Sequence, residues 1–379
     1  MSATMTTVCK KMAVAVEIAS AKWVVASYAG GAHKIRCKTL TQATAAERLD
    51  GLLAEMDEAR RRFELEATAR VMVAYEAGQE GFWLVRALAE RGLDARVIDP
   101  VSLPVDRRAR RAKTDRLDVR ALVLGVWRYL HGEGGTVRMV RVVDAAAEDA
   151  REWQRERDRL ARERRSCADR IRKKLRTQGI WSLPPDWHAA LRQGRLRTFD
   201  GRAVGPMLQA ALVVELDRLE AAEAHLKQWA RQVEQMPQAV TQRVARLADL
   251  RGIGQLGARA LVLQLYWRHF DNRRQVGACV GLVGVPYDSG MMRCDQGISK
   301  AGDPRLRALL VELAWLWLRY QPDSAISQWF VRRTQGAGKR GKRVMIVAVA
   351  RKLAIALWKY LQYGVIPEGA RMKACPAAA

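Results

Sequence analysis

The order of short apolar segments in the first third of the chain most constrains its fold. Apolar runs bounded by turn residues predict strands, and leucines at helical spacing predict the helices between them. The predicted strands lie at 12–19, 22–30, 34–40, 69–78 and 95–100, and the predicted helices lie at 43–65, 80–91 and 114–129. The order β-β-β-α-β-α-β-α predicts an α/β sheet.

The same order of elements is used by ribonuclease H-like folds, which makes that fold an analogy for this segment. In that arrangement the first and fourth strands are neighbours, and the last helix packs across the end of the sheet. Four carboxylates would then converge on one site, and they are Glu17, Glu76, Asp115 and Asp118. Clustered carboxylates repel one another unless a cation lies among them, and hard oxygen ligands suit Mg²⁺.

Two of these carboxylates also have a simpler interpretation. Asp115 and Asp118 lie three residues apart in a basic segment, where they can pair with arginines on a solvated helix. Glu17 and Glu76 are harder to explain in that way. Each is embedded in or ends an apolar strand, where a carboxylate is costly unless it is paired or bound to metal.

A long charged helix is predicted after the sheet, at 146–178. Trp153, Leu160 and Cys167 follow at intervals of seven, which is typical of a coiled-coil seam. A second helix at 206–235 could return antiparallel to it and form a helical stalk. From about residue 245 a second, mostly helical domain is expected, with a glycine-rich middle.

The charge of the chain predicts a polyanionic partner. Lysine and arginine number 66 against 40 acidic residues, a net charge of +26. Such an excess favours nucleic acid, bound with strong salt dependence. An anionic membrane is the competing polyanion, but no run of 18 apolar residues occurs. The six scattered cysteines contain no CxxC pair, which indicates reduced thiols in a cytoplasmic protein.

Several segments together resemble a known family. They are "VAVEIASAKW", "YEAGQEGFW", "VIDPVSLPVDRRARRAKTDRLDVRAL", "LRGIGQLGARAL" and "LVGVPYDSGMMRCDQGISKAGDPRLRALL". They are similar to the DEDD-type transposases of insertion sequences, the IS-one-ten and IS-eleven-eleven families, which are relatives of the Piv DNA invertases. The resemblance spans about residues 12 to 330, and two separate regions match in the right order.

The resemblance implies an α/β plus α protein with three parts. They are a ribonuclease H-like (RuvC-like) catalytic domain at 1–135, a helical coiled-coil linker at 136–240 and a C-terminal transposase domain at 241–379. It also implies recombination of donor and target DNA guided by a structured non-coding bridge RNA, through a covalent serine–DNA link assisted by Mg²⁺. The expected assembly is a homodimer that forms a homotetramer, in the bacterial cytoplasm and bound to the nucleoid when on DNA.

Carried onto this chain, the resemblance places metal binding and catalysis on Glu17, Glu76, Asp115 and Asp118, and the nucleophile on Ser289 in "YDSG". The chain departs from the pattern at one position. The family's first acid is usually aspartate, and here it is Glu17, which is one methylene longer.

From the residues alone, Ser289 belongs to an ordinary turn. No Ser/His/Asp triad is visible, so a metal or a basic group such as Arg293 or Lys300 would have to activate the hydroxyl. Asp303 and Pro304 are typical of a helix start, where Arg305 and free N–H groups can bind phosphate. The alternative is an ordinary cap.

Further nucleic-acid contacts are predicted from glycines and basic runs. Gly252 and Gly254 resemble a helix–hairpin–helix element, in which backbone N–H groups approach phosphates; the alternative is a tight turn that needs glycine. The run "KRGKR" at 339–343 predicts a phosphate-contacting loop. The full predicted set is Arg110, Arg111, Lys113, Arg116, Gly252, Gly254, Arg293, Lys300, Arg305, Lys339, Arg340, Lys342 and Arg343.

Two other functions fit the same residues. One is a metal-dependent junction endonuclease that hydrolyses DNA with water, with Ser289 merely structural. The other is a decayed transposase that binds nucleic acid and cuts nothing, because Glu17 no longer supports the metal. A membrane-surface protein is disfavoured, since the basic residues are spread over several segments.

Overall fold

A mixed β-sheet organises the first of the two compact units into which the chain divides, Met1–Asp144 and Ala145–Ala379. The computed structural model describes residues 11–103, 114–232, 236–290 and 292–373. The strands of the first unit are β1 (Lys11–Ile18), β2 (Trp23–Tyr28), β3 (Arg36–Leu40), β4 (Arg70–Glu76), β5 (Asp94–Ile98) and β6 (Met139–Val140). Its helices are α1 (Ala45–Arg62), α2 (Trp83–Ala89) and α3 (Asp115–Leu130).

The described strands are arranged in the order β3-β2-β1-β4-β5-β6. β1, β4 and β5 are parallel, whereas β2 and β3 form an antiparallel meander on one side and β6 is antiparallel on the other. The prediction that the first and fourth strands are neighbours is therefore confirmed. The mixed α/β class is confirmed as well, and the short strand β6 was not predicted.

Both faces of this sheet are covered, which explains why its central strands are almost continuously apolar. In β1, Val14 and Val16 face a core formed with α1 and α2, and Ala13 and Ala15 face a core formed with α3. The alternation follows from the period of two in a strand. Small alanines on the second face let α3 lie close to the sheet.

The second unit is mostly helical, as predicted. Its helices are α4 (Ala145–Arg176), α5 (Trp187–Arg192), α6 (Pro206–Gln232), α7 (Gln238–Ala248), α8 (Gln255–Gln264), α9 (Arg273–Cys279), α10 (Pro304–Tyr320), α11 (Ala325–Thr334) and α12 (Lys339–Tyr363). A hairpin of β7 (Gly284–Ser289) and β8 (Met292–Ile298) lies between α9 and α10. The hairpin was not predicted, because β7 is mostly exposed and has no apolar alternation.

The charged helix α4 packs against α6 in the antiparallel sense. Near one end Trp229 donates from its indole Nε1 to the Trp153 carbonyl, and near the other Arg170 pairs with Glu215 at 2.8 Å. The seam predicted from heptad spacing is largely buried: Cys167 and the leucine and isoleucine positions after it pack against leucines of α6. The apolar face of α4 is therefore covered by the same chain.

The remaining helices enclose a separate core around α10 and α12. Trp317 and Leu353 are fully buried there. Asp303 caps α10 by accepting from the Arg305 backbone N–H, and Pro304 occupies the first turn, which confirms the predicted helix start. The segment 339–343 corrects the sequence interpretation: it forms the first turns of α12 and not a loop. Gly338 opens that helix without a side-chain cap.

None of the helices in the described ranges is long and apolar enough to cross a membrane.

Candidate functional site

Glu17 and Glu76 lie at the carboxyl ends of two adjacent parallel strands. The register pairs Val16 of β1 with Tyr75 of β4, and each glutamate is the next residue of its strand. By the alternation of the strands, both side chains leave the sheet on the face that α3 covers. Both residues are intermediate in exposure. Two carboxylates thus flank each other at one end of the sheet, on one face.

The start of α3 lies at the same end. Lys11, which opens β1, donates from Nζ to the Leu130 carbonyl at the last turn of α3, so the helix runs opposite to β1. Its first turn therefore reaches the end of β1 where Glu17 stands. Thr114 caps the helix by accepting from the Leu117 N–H, which starts α3 one residue before Asp115.

Asp115 and Asp118 both belong to that first turn. Asp115 does not pair with a neighbouring arginine of its own helix: its Oδ2 lies 3.1 Å from Nζ of Lys22, in the β1–β2 connection. Within the described ranges Asp118 has no ion-pair partner. The structure thus brings all four predicted acids to one end and one face of the sheet.

The four carboxylates do not form a ready-made metal site. In the part of the chain that the structure describes, no three His, Cys, Asp or Glu side chains are placed to hold one ion. The donor set fits Mg²⁺ by its chemistry, since it consists of carboxylate oxygens, and by its location. It does not fit by distance, and the ammonium of Lys22 already neutralises one of the four.

A pocket of about 350 Å³ adjoins Asp115. It lies over β2 and β3 at the start of α3, and its lining includes Lys22, Cys37, Thr39, Thr114 and Arg116. Of the predicted nucleic-acid contacts near the acids, Arg116 is exposed in this pocket. Arg110, Arg111 and Lys113 lie outside the described residues. A phosphate-sized group can therefore reach Asp115 between two cations.

Helix electrostatics offer a structural explanation for two of the acids. Aspartates in the first turn of a helix are stabilised by the helix dipole and its free N–H groups. That explanation covers Asp115 and Asp118 alone. It does not explain the two glutamates at the strand ends, which belong to no helix.

Ser289 ends β7 at the tip of the hairpin. It pairs with Met292 across the turn, and Gly290 next to it has a φ of +59°, which favours glycine. Every residue from Pro286 to Gly290 is exposed. The hydroxyl is thus accessible to a large substrate, on a local structure that is a tight hairpin turn.

Of the two basic residues proposed to activate Ser289, Arg293 lies within the hairpin and Lys300 lies just after it. Arg293 lies opposite Asp288 in the hairpin register, and its side chain lies outside the described part of the structure. Lys300 is exposed and has a φ of +54°, which is rare for a residue with a side chain.

The predicted helix–hairpin–helix glycines divide in role. Gly252 has a φ of +85°, and a β-carbon there would lie 3.2 Å from the Leu316 carbonyl oxygen, so the fold itself requires glycine. Gly254 precedes α8 with ordinary backbone angles, is exposed and has open space beside it. The turn therefore explains the glycine at position 252. It does not explain the glycine at position 254, whose exposed backbone is free to contact a phosphate.

Arg305 lies in a groove of about 530 Å³ between α4 and the start of α10. Arginines of α4 line the groove, but Glu152, Glu156 and Asp303 line it too. Nearby, Arg151 stacks on Trp267, and burial lowers the pKa of its guanidinium to about 10. The groove is therefore of mixed charge, with cations that remain charged at neutral pH.

The basic run of α12 is the most one-sided of the predicted contacts. Lys339, Arg340, Lys342 and Arg343 are all exposed. Cations at a helix N-terminus oppose the helix dipole, so their presence in the first two turns works against the helix. A bound polyanion would reverse that cost.

Sequence reasoning missed two groups. Lys22 was passed over because a single lysine in a turn carries no pattern. The basic doublets at 273–274 and 351–352 surround Trp329 and line a second pocket, yet they are far apart in the chain. The available signal was the occurrence of two adjacent basic residues at each of these places.

Comparison with known proteins agrees with the resemblance seen in the sequence. The sequence model of the "Transposase IS116/IS110/IS902 family" matches residues 244–328, which run from α7 through the Ser289 hairpin into α11. The "Transposase for insertion sequence element IS1111A" of Coxiella burnetii is 25% identical over 261 residues, 66% of either chain.

A further relative matches nearly the whole chain. The "Putative transposase y4rJ" of Sinorhizobium fredii is 41% identical over 378 residues, which cover 95% of this chain and 94% of the relative. A similarity over 95% of the chain includes both units. The chain belongs to the IS116/IS110/IS902 family of insertion-sequence transposases.

Proposed function

We propose that this transposase cuts and rejoins DNA through a covalent link to Ser289, with Mg²⁺ held by the four acids and with a structured non-coding RNA as guide. The observation that carries the proposal is the gathering of Glu17, Glu76, Asp115 and Asp118 at one end and one face of the sheet. The order β3-β2-β1-β4-β5, with β1, β4 and β5 parallel, supports a RuvC-like first domain.

The acids have a role that follows from their charge. Mg²⁺ supplies Lewis-acid stabilisation of a phosphodiester under attack and prefers carboxylate oxygens. Glu17 and Glu76 would hold it from the strands, and Asp115 and Asp118 from the helix, once their side chains move closer together than they are in this structure. Because Lys22 pairs with Asp115, this carboxylate has to exchange one cation for another on loading.

Ser289 has the exposure that a nucleophile toward DNA needs. Its Oγ would form a bond to phosphorus as one phosphodiester P–O bond breaks, and the hydroxyl proton passes to a base while the leaving oxygen is protonated. A base is required because a serine hydroxyl is a weak nucleophile. The link conserves the phosphate ester, so a DNA hydroxyl can reverse the step and rejoin a strand without an external energy source.

The charge of the chain supports two nucleic acids as partners. The exposed cations at the start of α12, with Arg116 and Arg305, suit phosphate backbones, which they contact without reading sequence. A guide RNA would then supply the sequence reading by base pairing. We expect binding to weaken steeply with salt, since each neutralised phosphate releases counterions.

An assembly of two dimers is part of the proposal. The apolar seam of α4 is covered by α6, so an interface on these helices would use other faces. Met207 and Val214 of α6 are exposed apolar residues on such a face. Their solvation would be relieved by a second copy of the chain.

The decisive experiment uses the purified protein, the RNA of its own element, and end-labelled donor and target DNA with Mg²⁺. Products are run on a denaturing gel before and after protease, beside Ser289→Ala and Ser299→Ala as a matched control on the same segment. A protease-sensitive adduct that needs RNA and is lost only in Ser289→Ala supports the proposal. Cleavage without an adduct favours the hydrolytic nuclease.

A third outcome, in which no strand is cut, tests whether the protein only binds nucleic acid. If no strand is cut, Glu17→Asp is tested next, since it restores the acid usual in the family. Cleavage by that variant would place the defect at the metal site. Nucleic-acid binding without cleavage by either form would support the decayed transposase.

A further inference from the structure

A second pocket lies in the other unit, between α9, α11 and α12. Its volume is about 340 Å³, and its lining consists of Arg273, Arg274, Trp329, Arg351 and Lys352 together with the apolar Ala348 and Ile355. None of these residues belongs to the predicted catalytic set or to the basic run at 339–343. The pocket therefore has to be explained separately.

The charged side chains that line this pocket are all of one sign. Four of the lining residues are cations, and no carboxylate lines the pocket. None of the four forms an ion pair with a described residue. The groove between α4 and α10 differs in this respect, since Glu152, Glu156 and Asp303 lie among its arginines. Four cations around one cavity repel one another, and an anion would relieve that repulsion.

The floor of the pocket is aromatic. Trp329 is half-buried, and Nζ of Lys352 lies 4.5 Å from its ring centroid. An indole that already attracts a cation offers a flat π-surface on which a planar ligand can stack. The combination of an aromatic surface with surrounding cations is typical of proteins that bind single-stranded nucleic acid.

The absence of a side chain at Gly277 lets Arg351 lie close to α9. A β-carbon at Gly277 of α9 would lie 3.0 Å from Nε of Arg351, so the guanidinium lies directly over the glycine. Gly277 has an ordinary negative φ and is buried, hence backbone conformation does not require glycine there. The missing side chain leaves room for Arg351 at the pocket.

We propose that this pocket binds one unpaired nucleotide of a single-stranded nucleic acid. The base stacks on Trp329, and Arg273, Arg274 and Arg351 hold the adjoining phosphates. Bases in a duplex are stacked on each other and cannot reach the indole, so the pocket selects single strands. An apolar ligand would leave the four cations unpaired. The assignment rests on the proposed function in one respect, that nucleic acid is the polyanion this protein meets.

The test is direct binding of the full-length protein, with no cleavage step. Labelled single-stranded DNA and RNA of about 12 nucleotides and a DNA duplex of the same length are titrated by fluorescence anisotropy. Trp329→Leu removes the stacking surface, and Trp329→Phe keeps a smaller one. We expect Trp329→Leu to weaken single-strand binding about tenfold, since stacking contributes about 1–3 kcal/mol per base. Trp329→Phe should lose about threefold or less, and duplex binding should not change.

A second variant tests the phosphate contacts without touching the core. Arg273 and Arg274 are exposed, so Arg273→Gln with Arg274→Gln is expected to fold normally. It should reduce the slope of log K against log salt on single strands by about 1.4, for two lost phosphate contacts. Lys359→Gln is the control, because it removes one exposed charge from α12 outside the pocket.

The outcomes separate the pocket from the catalytic proposal. Unchanged single-strand affinity in Trp329→Leu, or an unchanged salt slope in the double glutamine variant, overturns the nucleotide pocket whatever the cleavage assay shows. A lower single-strand affinity in Trp329→Leu together with a smaller salt slope in the double glutamine variant supports the nucleotide pocket, even if no covalent adduct forms. Loss for RNA alone assigns the pocket to the guide, and loss for DNA alone assigns it to a displaced strand.

Discussion

Lys22 and Asp115 form an ion pair that joins the β1–β2 connection to the first turn of α3, with Nζ 3.1 Å from Oδ2. The two residues are 93 positions apart in the chain, and each side chain is about half exposed. The pair places a cation on one of four gathered carboxylates. A divalent ion that binds these acids has to compete with that ammonium.

Lys22→Gln should therefore strengthen Mg²⁺ binding while changing stability little. An ion pair this exposed contributes about 1 kcal/mol or less to folding. We expect the Mg²⁺ concentration that gives a half-maximal rise in melting temperature to fall severalfold. Lys38→Gln is the control. Lys38 of β3 pairs in register with Val25, whose side chain belongs to the core with α1 and α2, so Lys38 lies on the face of the sheet away from the four acids. An unchanged Mg²⁺ midpoint in Lys22→Gln would count against competition at Asp115.

Asp118→Asn should abolish strand cleavage and leave nucleic-acid affinity within about twofold. The change removes one negatively charged oxygen donor from the first turn of α3 and adds no volume. If Asp118 holds Mg²⁺ as proposed, its loss costs several kcal/mol at the reacting phosphate, so the cleavage rate should fall at least about a hundredfold. Asp50→Asn on the exposed face of α1 is the control. Full cleavage by Asp118→Asn would remove this residue from the metal site.

The pairing of α4 with α6 should depend on pH through Glu215. Hydrogen bonds from the Arg170 guanidinium hold the pKa of the Glu215 carboxyl below its ordinary value of 4.5. The folded pKa is lower than the unfolded one, so the stabilisation is complete above about pH 4.5 and is lost as the pH falls through the folded pKa. Glu215→Gln should lower the melting temperature by about 2–4 °C at pH 7.

The difference in melting temperature between Glu215→Gln and the wild-type protein should disappear when the pH falls well below 4.5. Glu152→Gln is the matched control, because Glu152 forms an exposed ion pair with Arg155, and both residues lie on α4. Its melting temperature should stay within about 1 °C of the unchanged protein, as is usual for exposed pairs. A pH-independent deficit in Glu215→Gln would show that packing, and not charge, accounts for the effect.

Gly302→Ala should destabilise the segment that supports the Ser289 hairpin. Gly302 has a φ of +76°, and a β-carbon there would collide with the Cys279 carbonyl oxygen at the end of α9. Gly336 has a similar φ of +74° but open space around it, so Gly336→Ala measures the backbone term alone. We expect about 1 kcal/mol for Gly336→Ala and a clearly larger loss for Gly302→Ala in chemical denaturation. Equal losses would mean that the collision is relieved by a small shift.

The elements of the first unit were predictable because their signals are local. Apolar runs bounded by turn residues marked β1, β2 and β4, and the helix predicted at 114–129 corresponds to α3, which Thr114 caps. The heptad spacing in α4 likewise anticipated its buried seam. Each of these signals depends on side chains a few residues apart, whose relation the backbone period determines.

The hairpin of β7 and β8 and the helical start of α12 were not predictable in the same way. In β7 five of the six residues are exposed, so no apolar alternation marks this strand. The run at 339–343 is basic and contains Gly341, which hides a helix that the buried Ile346 and Val349 stabilise further along. In both cases the decisive contacts lie outside the segment itself.

Most strands and helices of the first unit, the four acids and the excess of positive charge follow from the sequence alone, because they depend on residue identity and local periodicity. The tertiary structure, by contrast, brings the acids to one end and one face of the sheet, pairs Lys22 with Asp115, and places Trp329 among four cations that form no ion pair with a described residue. Those relationships join residues far apart in the chain. They exist because packing of buried apolar faces, and not the charged groups themselves, brings the elements together.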